Sequence, residues 1–284
     1  MKQAVLDILK RYRNDNGIII TNKPKVLSVF AVSCVHRAFD PRTAERMIVL
    51  SRCPDVKITL HCKYGDALID RARSMVASDF LLNRKDDILL FIDDDIIFNP
   101  IDAVRMCKSM SENNLDILGG AYMAKRANKP FLVIKTLDNN PIVFGEQGAI
   151  EEVRYVSTGF MAISRKVLEK MAETLPLCHP DDLKFYPFFQ PYPKEVDGKW
   201  LYLSEDWSFC QRARDLDFKI WVDTTIKLGH MGQYLYDWDD LNRPPKEVLK
   251  DFTYNETLNP EPDLTGNPAK VSEAVLQTAA IKET

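Results

Sequence analysis

The chain has little of what several common classes of protein need. Its 284 residues carry a formal net charge of −3. They contain no block of basic residues, which argues against nucleic-acid binding, because that function needs a concentrated positive surface. The longest apolar stretch, residues 26–35, is far too short to cross a bilayer, which takes about 20 apolar residues. We therefore expect no nucleic-acid partner and no transmembrane segment.

The sequence also lacks closely spaced cysteine pairs and a secretion signal. The six cysteines are scattered, without the close spacing that a zinc site or a redox centre uses, and we interpret them as reduced thiols. Lys10, Arg11 and Arg13 interrupt the amino-terminal region before any signal-like apolar segment develops. We expect a soluble protein in the cytoplasm.

Apolar runs and helical periodicity predict an α/β fold, with a mixed central sheet flanked by helices. The predicted strands are residues 26–35, 56–61, 88–92, 115–118 and 219–223, and the predicted helices are residues 1–13, 43–50, 67–82, 101–113 and 165–173. Hairpin-like pieces at residues 131–135 and 141–144 predict that the sheet becomes mixed in its second half. Residues 153–163 follow, and they carry the sequence Thr158-Gly159-Phe160.

The chain is predicted to have three parts. Residues 1–24 form an amino-terminal helix and linker, and residues 25–238 form the globular domain. Residues 239–284 form a carboxyl-terminal extension. This last part is polar and contains several prolines, which favours a surface wrap or an extension over a second domain.

Three carboxylates directly follow the predicted strand at residues 88–92. Ligands of an open α/β sheet bind beyond the carboxyl ends of its strands, so these residues stand where a ligand is expected. Side chains alternate along an extended chain, so Asp93 and Asp95 point one way and Asp94 the other. Two converging carboxylates repel each other unless a cation such as Mg²⁺ or Mn²⁺ joins them. The alternative is a polar turn that caps the helix beginning near Pro100.

Two further features lie downstream. The sequence Ser-Glu-Asp at residues 204–206 predicts the start of a helix, where acidic residues favour the helix dipole. Alternatively, Glu205 or Asp206 acts as a general base toward a hydroxyl group. His230 lies between glycines that permit a tight backbone path, so its ring could reach a metal, although a lone histidine is more often packed or solvated.

In combination these motifs resemble the GT-A glycosyltransferases, which transfer a sugar from a nucleotide-sugar donor. The resemblance covers about residues 26–236. More narrowly, the chain resembles a group of these enzymes found in phages, large viruses and bacteria. Five motifs in order carry it: Ile69-Asp70-Arg71-Ala72-Arg73, Phe91-Ile92-Asp93-Asp94-Asp95, Gly119-Gly120-Ala121-Tyr122 with Lys125, Thr158-Gly159-Phe160, and Ser204-Glu205-Asp206 with Phe209-Cys210. Together they are specific for the family but say little about the sugar.

The resemblance implies the GT-A fold and a transferase that depends on Mn²⁺ or Mg²⁺. Asp93 and Asp95 match the metal-binding pair, with Asp95 the stronger candidate for direct coordination. His230 matches a late histidine that joins the metal or the diphosphate. Asp206, or its neighbour Glu205, matches the catalytic base of the inverting members, and inversion is favoured on that pattern alone.

The resemblance also implies a UDP- or GDP-linked sugar as donor. The positions that match its donor site are Ser33, His36, Arg71, Arg73, Asp93, Asp94, Gly120 and Gly159. Arg71 and Arg73 stand two apart on a helix, so at most one of them touches the nucleotide. Their alternative is a solvated helix face, and the alternative for the glycines is a turn.

The expected acceptor is a hydroxyl group of a saccharide or glycoconjugate. A stacking floor for it is predicted from seven aromatic residues: Phe185, Tyr186, Phe188, Phe189, Tyr192, Trp200 and Tyr202. Alternatively, these residues pack inside the protein, since aromatic residues in a proline-rich loop serve internal packing at least as often as they bind a ligand.

Three other classes fit parts of the pattern. Aspartate-based phosphatases usually follow Asp-x-Asp with small residues, whereas Ile96 and Ile97 stand here. A nucleotidyltransferase acting on sugar phosphates should have a glycine-rich basic loop near the first strand, but residues 33–40 are poor in glycine. A non-catalytic saccharide-binding module would need the aromatic residues but not the acidic ones.

Overall fold

The computed structural model describes residues 26–35, 38–125, 131–137, 141–180, 183–232 and 235–241. These residues form a mixed α/β fold with a seven-stranded central sheet and five α-helices. The predicted helix at residues 1–13, His36 and the chain after Leu241 lie outside the described residues. The division of the chain into three parts therefore stays a prediction.

Five of the seven strands in the central sheet run in one direction. The strands are β1 (Ser28–Val35), β2 (Lys57–Tyr64), β3 (Ile88–Ile92), β5 (Ile117–Gly120), β7 (Ile150–Val153), β9 (Phe160–Ser164) and β12 (Ile220–Asp223), in the order β2-β1-β3-β9-β5-β12-β7. β1 is parallel to β2 and β3, and β5 is parallel to β12. β9 is antiparallel to β3 and β5, and β7 is antiparallel to β12. The carboxyl ends of β1, β2, β3, β5 and β12 therefore meet at one edge, together with the start of β9.

In the part of the chain that the structure describes, seven short strands pair outside this sheet. They are β4 (Ile96–Ile97), β6 (Ile134–Lys135), β8 (Tyr155–Val156), β10 (Tyr192–Val196), β11 (Lys199–Leu203), β13 (Gly229–Met231) and β14 (Leu235–Tyr236). β13 pairs with both β4 and β14, β6 pairs with β8, and β10 pairs with β11.

Two of the five described helices begin at a residue whose side chain caps them. The five helices are α1 (Pro41–Ser51), α2 (Ile69–Asn83), α3 (Pro100–Glu112), α4 (Arg165–Ala172) and α5 (Glu205–Arg214), followed by a 3₁₀ turn at Trp238–Leu241. The side chains of Asp40 and Asn99 accept backbone N–H groups of α1 and α3, and a proline follows each cap. No helix of the described residues is long and apolar enough to cross a membrane.

β3 is buried on both faces because helices cover both sides of the sheet. Leu89 and Phe91 belong to the apolar cluster that includes residues of α2, α4 and α5. Ile88, Leu90 and Ile92 belong to the cluster that includes residues of α1 and α3. The uninterrupted apolar run therefore predicts this strand correctly.

The prediction that the sheet becomes mixed in the second half of the chain is confirmed, because β9 and β7 are antiparallel to their neighbours, but the hairpin predicted there is wrong. Residues 131–135 and 141–144 form no hairpin, because β6 pairs with β8 and residues 141–144 contain no strand. Residues 153–163 include the last residue of β7, all of β8 and the first four residues of β9, with a break at residues 157–159 between β8 and β9. This break brings Gly159 to the end of β3, where its carbonyl accepts the N–H of Asp93 at 2.9 Å.

The structure forms a hairpin where the sequence predicts only an aromatic loop. β10 and β11 are joined by Asp197 and Gly198, whose φ angles are 52° and 73°. An Asp-Gly pair with positive φ at both residues is typical of a two-residue hairpin turn, so this dipeptide is the signal that could have predicted it. The hairpin leads through Ser204 directly into α5.

Candidate active site

Arg73 is the centre of a buried ion-pair network at the carboxyl edge of the sheet. Its side chain lies on α2 and is 4% exposed. Nη2 donates to both carboxylate oxygens of Asp93 at 2.9 Å, and Nη1 donates to Oε1 of Glu205 at 2.7 Å. Arg73 therefore joins the residue after β3 to the first residue of α5.

The charge of Arg73 is maintained by its partners. Burial alone would lower the pKa of the guanidinium, but the charges of Asp93 and Glu205 outweigh burial and raise it. A buried cation in this position is stable only while these carboxylates face it. Arg73 therefore holds the two acidic residues in place instead of offering a free group to a ligand.

A third carboxylate makes the cluster negative overall. The charge of Asp206 acts on both Arg73 and Tyr122. Burial raises the pKa of Glu205, Arg73 lowers it and Asp206 raises it, with a net upward shift. Arg73 therefore pairs with two of the three carboxylates, and the third lies near enough for its charge to act on Arg73.

Glu205→Gln is expected to change the pH dependence of stability. The pKa of Glu205 in the folded protein lies above the value of 4.5 for the free group. Its contribution to stability is therefore fully present below pH 4.5 and is lost as the pH rises through the folded-state pKa. Urea denaturation at about pH 4 and about pH 8 measures the free energy of unfolding of both proteins. From the lower to the higher pH, the free energy of unfolding of wild type should fall relative to that of the variant. The exposed Glu195→Gln is the control, and an equal difference at both pH values would contradict the raised pKa.

Asp95 meets a separate pair of basic side chains. Lys125 Nζ donates to Asp95 Oδ2, and His230 Nε2 lies 3.5 Å from Asp95 Oδ1. Burial raises the pKa of the Asp95 carboxyl, but His230 and Lys125 lower it further than burial raises it. The N–H of Met231 donates to the carbonyl of Asp95 at 2.8 Å, which fixes this turn against β13.

His230 is oriented by the backbone. Its Nδ1 lies 2.7 Å from the carbonyl oxygen of Met123, so Nδ1 carries the proton of that hydrogen bond. In the neutral ring, Nε2 then presents a lone pair toward Asp95. A carboxylate oxygen and an imidazole nitrogen placed in this way suit a shared metal ion.

The structure divides the predicted metal ligands. Asp95 and His230 come together, whereas both oxygens of Asp93 accept hydrogen bonds from Arg73. Among the residues that the structure describes, no three His, Cys, Asp or Glu side chains form a group that could hold a metal by themselves. A metal would therefore need Asp95 and His230 together with ligands from the substrate, and Lys125 would have to release Asp95.

Tyr122 connects the two halves of the site and is absent from the sequence-predicted residues. Its hydroxyl accepts the N–H of Gly159 at 3.2 Å, and its ring contacts His230 with 5.0 Å between centroids. Burial, together with the charges of Asp93 and Asp206, raises its pKa well above the ordinary value. The motif Gly119-Gly120-Ala121-Tyr122 was the signal that could have indicated it.

The two predicted glycines have different surroundings. A Cβ at Gly159 would lie 2.4 Å from the Tyr122 hydroxyl oxygen and 3.0 Å from Asp93 Oδ2, so this position has room for glycine alone. A Cβ at Gly120 would lie 2.7 Å from the side chain of Leu228 and 3.0 Å from that of Phe160. Gly159 therefore borders the acidic cluster, while Gly120 permits close packing in the core.

The predicted donor residues are spread along the edge. Arg71 is 48% exposed and pairs with Asp66 at 2.8 Å, so the two arginines of α2 face differently, as their spacing predicts. Ser33 is fully buried, and the carbonyl of Asp94 accepts the N–H of Asp40 at 2.9 Å. A cavity of about 120 Å³ lies at the end of β1, lined by Cys34, Val35, Lys63, Asp66, Ala67, Ile69 and Ala72.

The predicted aromatic floor does not form one surface, because Phe185, Tyr186 and Tyr192 are half-buried and the other four residues form two different pairs. Phe188 and Phe189 are fully buried, and Phe189 stacks on Phe209 with 4.4 Å between centroids. Trp200 and Tyr202 are exposed on the hairpin. The alternative of internal packing is therefore confirmed for the first pair and excluded for the second.

A larger opening lies beside β4 and β13. Its volume is about 560 Å³, and residues of α1, the start of α3 and β14 complete its lining. None of the acidic residues described above lines it. We place the candidate site at the charged cluster and not at this opening, because a catalytic site requires polar side chains that converge on one point, and the size of a cavity does not replace them.

Comparisons with known proteins add little to this assignment. No protein-family model matches the chain. No curated protein matches it. Among solved structures, the chain is similar to A197 from STIV, with 17% sequence identity and a TM-score of 0.47 over 73% of this chain and 86% of that chain. A similarity at this level carries no argument about function, which therefore rests on the geometry of the site.

Proposed function

We propose that this protein is a glycosyltransferase of the GT-A type. In this proposal it transfers a sugar from a UDP- or GDP-linked donor to a hydroxyl group of a saccharide or glycoconjugate. The observation that supports it is the network in which Arg73 joins Asp93 to Glu205, while Tyr122 links this cluster to His230 and Asp95. These residues come from motifs separated along the chain, and the fold brings them to one edge of the sheet.

Asp95 and His230 fit a divalent cation, to which they would supply one oxygen and one nitrogen ligand. The other ligands of the cation would come from the diphosphate and from water. Asp95 and His230 would hold Mn²⁺ or Mg²⁺, which would supply stabilisation of negative charge on a nucleoside diphosphate leaving group. Asp93 contributes by holding Arg73 and by orienting the turn. Lys125, once it releases Asp95, is a second cation within reach of the phosphates.

Asp206 is the better candidate for the base. The hydroxyl of Ser204 and the N–H of Trp207 both donate to Oδ1 of Asp206, the latter at 2.8 Å. Within the described residues these bonds leave Oδ2 to accept the proton of an acceptor hydroxyl. Glu205 is bound to Arg73, so its role is positional. A base on the acceptor side supports direct displacement with inversion at the anomeric carbon.

Asp95→Ala is expected to abolish metal-dependent binding of the nucleotide. Calorimetry with UDP and GDP should show binding to wild type only when Mn²⁺ or Mg²⁺ is present. The variant should bind on the order of 100-fold more weakly, because it removes the carboxylate that faces His230. Asp55→Ala, a change of an exposed carboxylate on the surface, is the matched control and should bind as wild type does.

Equal binding by Asp95→Ala and wild type would overturn the metal site. Failure of wild type to bind any nucleoside diphosphate with either metal would overturn the proposed function. Binding with release of pyrophosphate from a nucleoside triphosphate would favour the nucleotidyltransferase alternative. Binding of saccharides without nucleotides would favour the saccharide-binding module.

A further inference from the structure

The β10–β11 hairpin presents two aromatic rings to solvent. Trp200 is 74% exposed and Tyr202 is 76% exposed, while Leu201 and Leu203 between and after them turn toward the protein. The strand register places Glu195 opposite Trp200 and Pro193 opposite Tyr202. Pro193, Glu195, Trp200 and Tyr202 therefore share one face of the hairpin, which we call the aromatic face.

The opposite side of the hairpin is anchored to α5 and to its surroundings. The guanidinium of Arg212 lies 4.5 Å from the ring centroid of Tyr192, and Lys194 pairs with Asp215. Arg154 pairs with Asp197 in the turn at 3.1 Å. These contacts hold the hairpin at its base, middle and tip, so the aromatic face is a fixed surface.

The aromatic face lies on the strand that leads through Ser204 into the helix of the candidate base. Tyr202 lies four residues before Asp206, so their Cα atoms are at most about 14 Å apart. Trp200 lies two residues further along the same strand face, about 6.8 Å beyond Tyr202. The two rings therefore form a row on the strand that leads into α5, and Trp200 lies further from Asp206 along the chain than Tyr202 does.

The size and chemistry of this face favour a small amphipathic ligand over a protein surface. Two aromatic side chains offer at most about 500 Å² together, which is less than the roughly 800 Å² that each partner of a stable protein complex buries. Trp and Tyr combine an apolar ring with a polar group, and Glu195 places a carboxylate next to Trp200. Sugar rings match this combination, since they carry apolar C–H faces and hydroxyl groups that donate hydrogen bonds.

We propose that the aromatic face binds the distal rings of an extended saccharide acceptor, which stack on Tyr202 and Trp200 while the acceptor hydroxyl reaches Asp206. This inference rests on the proposed function and specifies its substrate. The acceptor is an oligosaccharide longer than a disaccharide, and a monosaccharide acceptor uses none of this surface.

The test uses the full chain with Trp200→Ala and Tyr202→Ala. A glycan array that carries gluco-, galacto-, manno- and N-acetylglucosamine oligosaccharides of increasing length identifies what wild type binds. For the best long oligosaccharide, each variant should raise the acceptor KM about tenfold, while kcat and donor binding stay unchanged. Trp200→Phe and Tyr202→Phe should restore binding. Ile101→Ala, which removes an exposed apolar side chain from α3, should have no effect.

The outcomes separate this inference from the proposed function. If the alanine variants use long and short acceptors as wild type does, the aromatic face is not an acceptor site, although the transferase assignment stands. If wild type binds no array saccharide, or if the variants bind as wild type does, the inference is overturned whether or not the protein binds nucleotides. Conversion of a dimer to a monomer by the variants, or loss of binding to phosphatidylcholine–phosphatidylglycerol vesicles, would assign the face to self-association or to a lipid surface and would also overturn it.

Discussion

Arg73→Met is expected to lower the free energy of unfolding by about 3 to 5 kcal/mol and to abolish transfer. Asp93 and Glu205 would remain in a largely buried position without the guanidinium that faces both of them. Removing one partner of a buried ion pair is costly because the other charge stays desolvated and uncompensated. Chemical denaturation and a transfer assay on the same preparation measure both effects.

Arg71→Met is the matched control, because the same substitution is made on the same helix. Arg71 is exposed and pairs with Asp66 at the surface, so its loss should change stability little. Arg73→Lys keeps a charge but loses the planar fork that reaches both carboxylates, and its stability should lie between those of wild type and Arg73→Met.

A second set of variants identifies the cause of the loss. Adding Asp93→Asn and Glu205→Gln to Arg73→Met removes the unpaired charges and should recover part of the stability, because the three residues act as one unit. If Arg73→Met unfolds at the same denaturant concentration as wild type, Arg73 does not hold the site together. If the added changes lower stability further by their separate amounts, the three residues act independently.

The core of the fold was predictable because its signals are local. The apolar run at residues 88–92 predicts β3, and the helices predicted at residues 43–50 and 101–113 match α1 and α3 within a few residues. Strand pairing was harder. β6 pairs with β8 across about twenty residues, and nothing in either short segment specifies that partner.

The membership of the site was predictable in part, but not its connections. The motifs around Asp93, Asp95, Glu205 and His230 indicate that these residues belong to one site. The bond from Arg73 to Glu205 joins residues 132 positions apart, and no local pattern encodes it. An arginine that the resemblance assigns to the donor therefore proves to be a partner of two acidic residues.

The network also explains why the acidic residues tolerate each other. Arg73 balances Asp93 and Glu205, and Lys125 balances Asp95. The two sets meet through Tyr122, whose hydroxyl accepts the N–H of Gly159 beside Asp93. We therefore expect a ligand cation to exchange with Lys125 at Asp95, while Arg73 stays in place throughout.

Asp206→Asn is expected to keep donor binding and to reduce transfer by about 10² to 10⁴-fold. The amide oxygen of asparagine can still accept from the Ser204 hydroxyl and the Trp207 N–H, so the start of α5 should persist. The variant cannot take up the proton of the acceptor hydroxyl. Calorimetry with the nucleoside diphosphate and metal, together with a transfer assay, separates the two effects.

Asp217→Asn makes the same change at an exposed residue just beyond α5. Its φ of 65° suits asparagine as well as aspartate, so this control should transfer at the wild-type rate. Full transfer by Asp206→Asn together with an inactive Glu205→Gln would move the base to Glu205. Loss of nucleotide binding in Asp206→Asn would place Asp206 on the donor side, because a base that contacts only the acceptor hydroxyl leaves the affinity for the nucleotide unchanged.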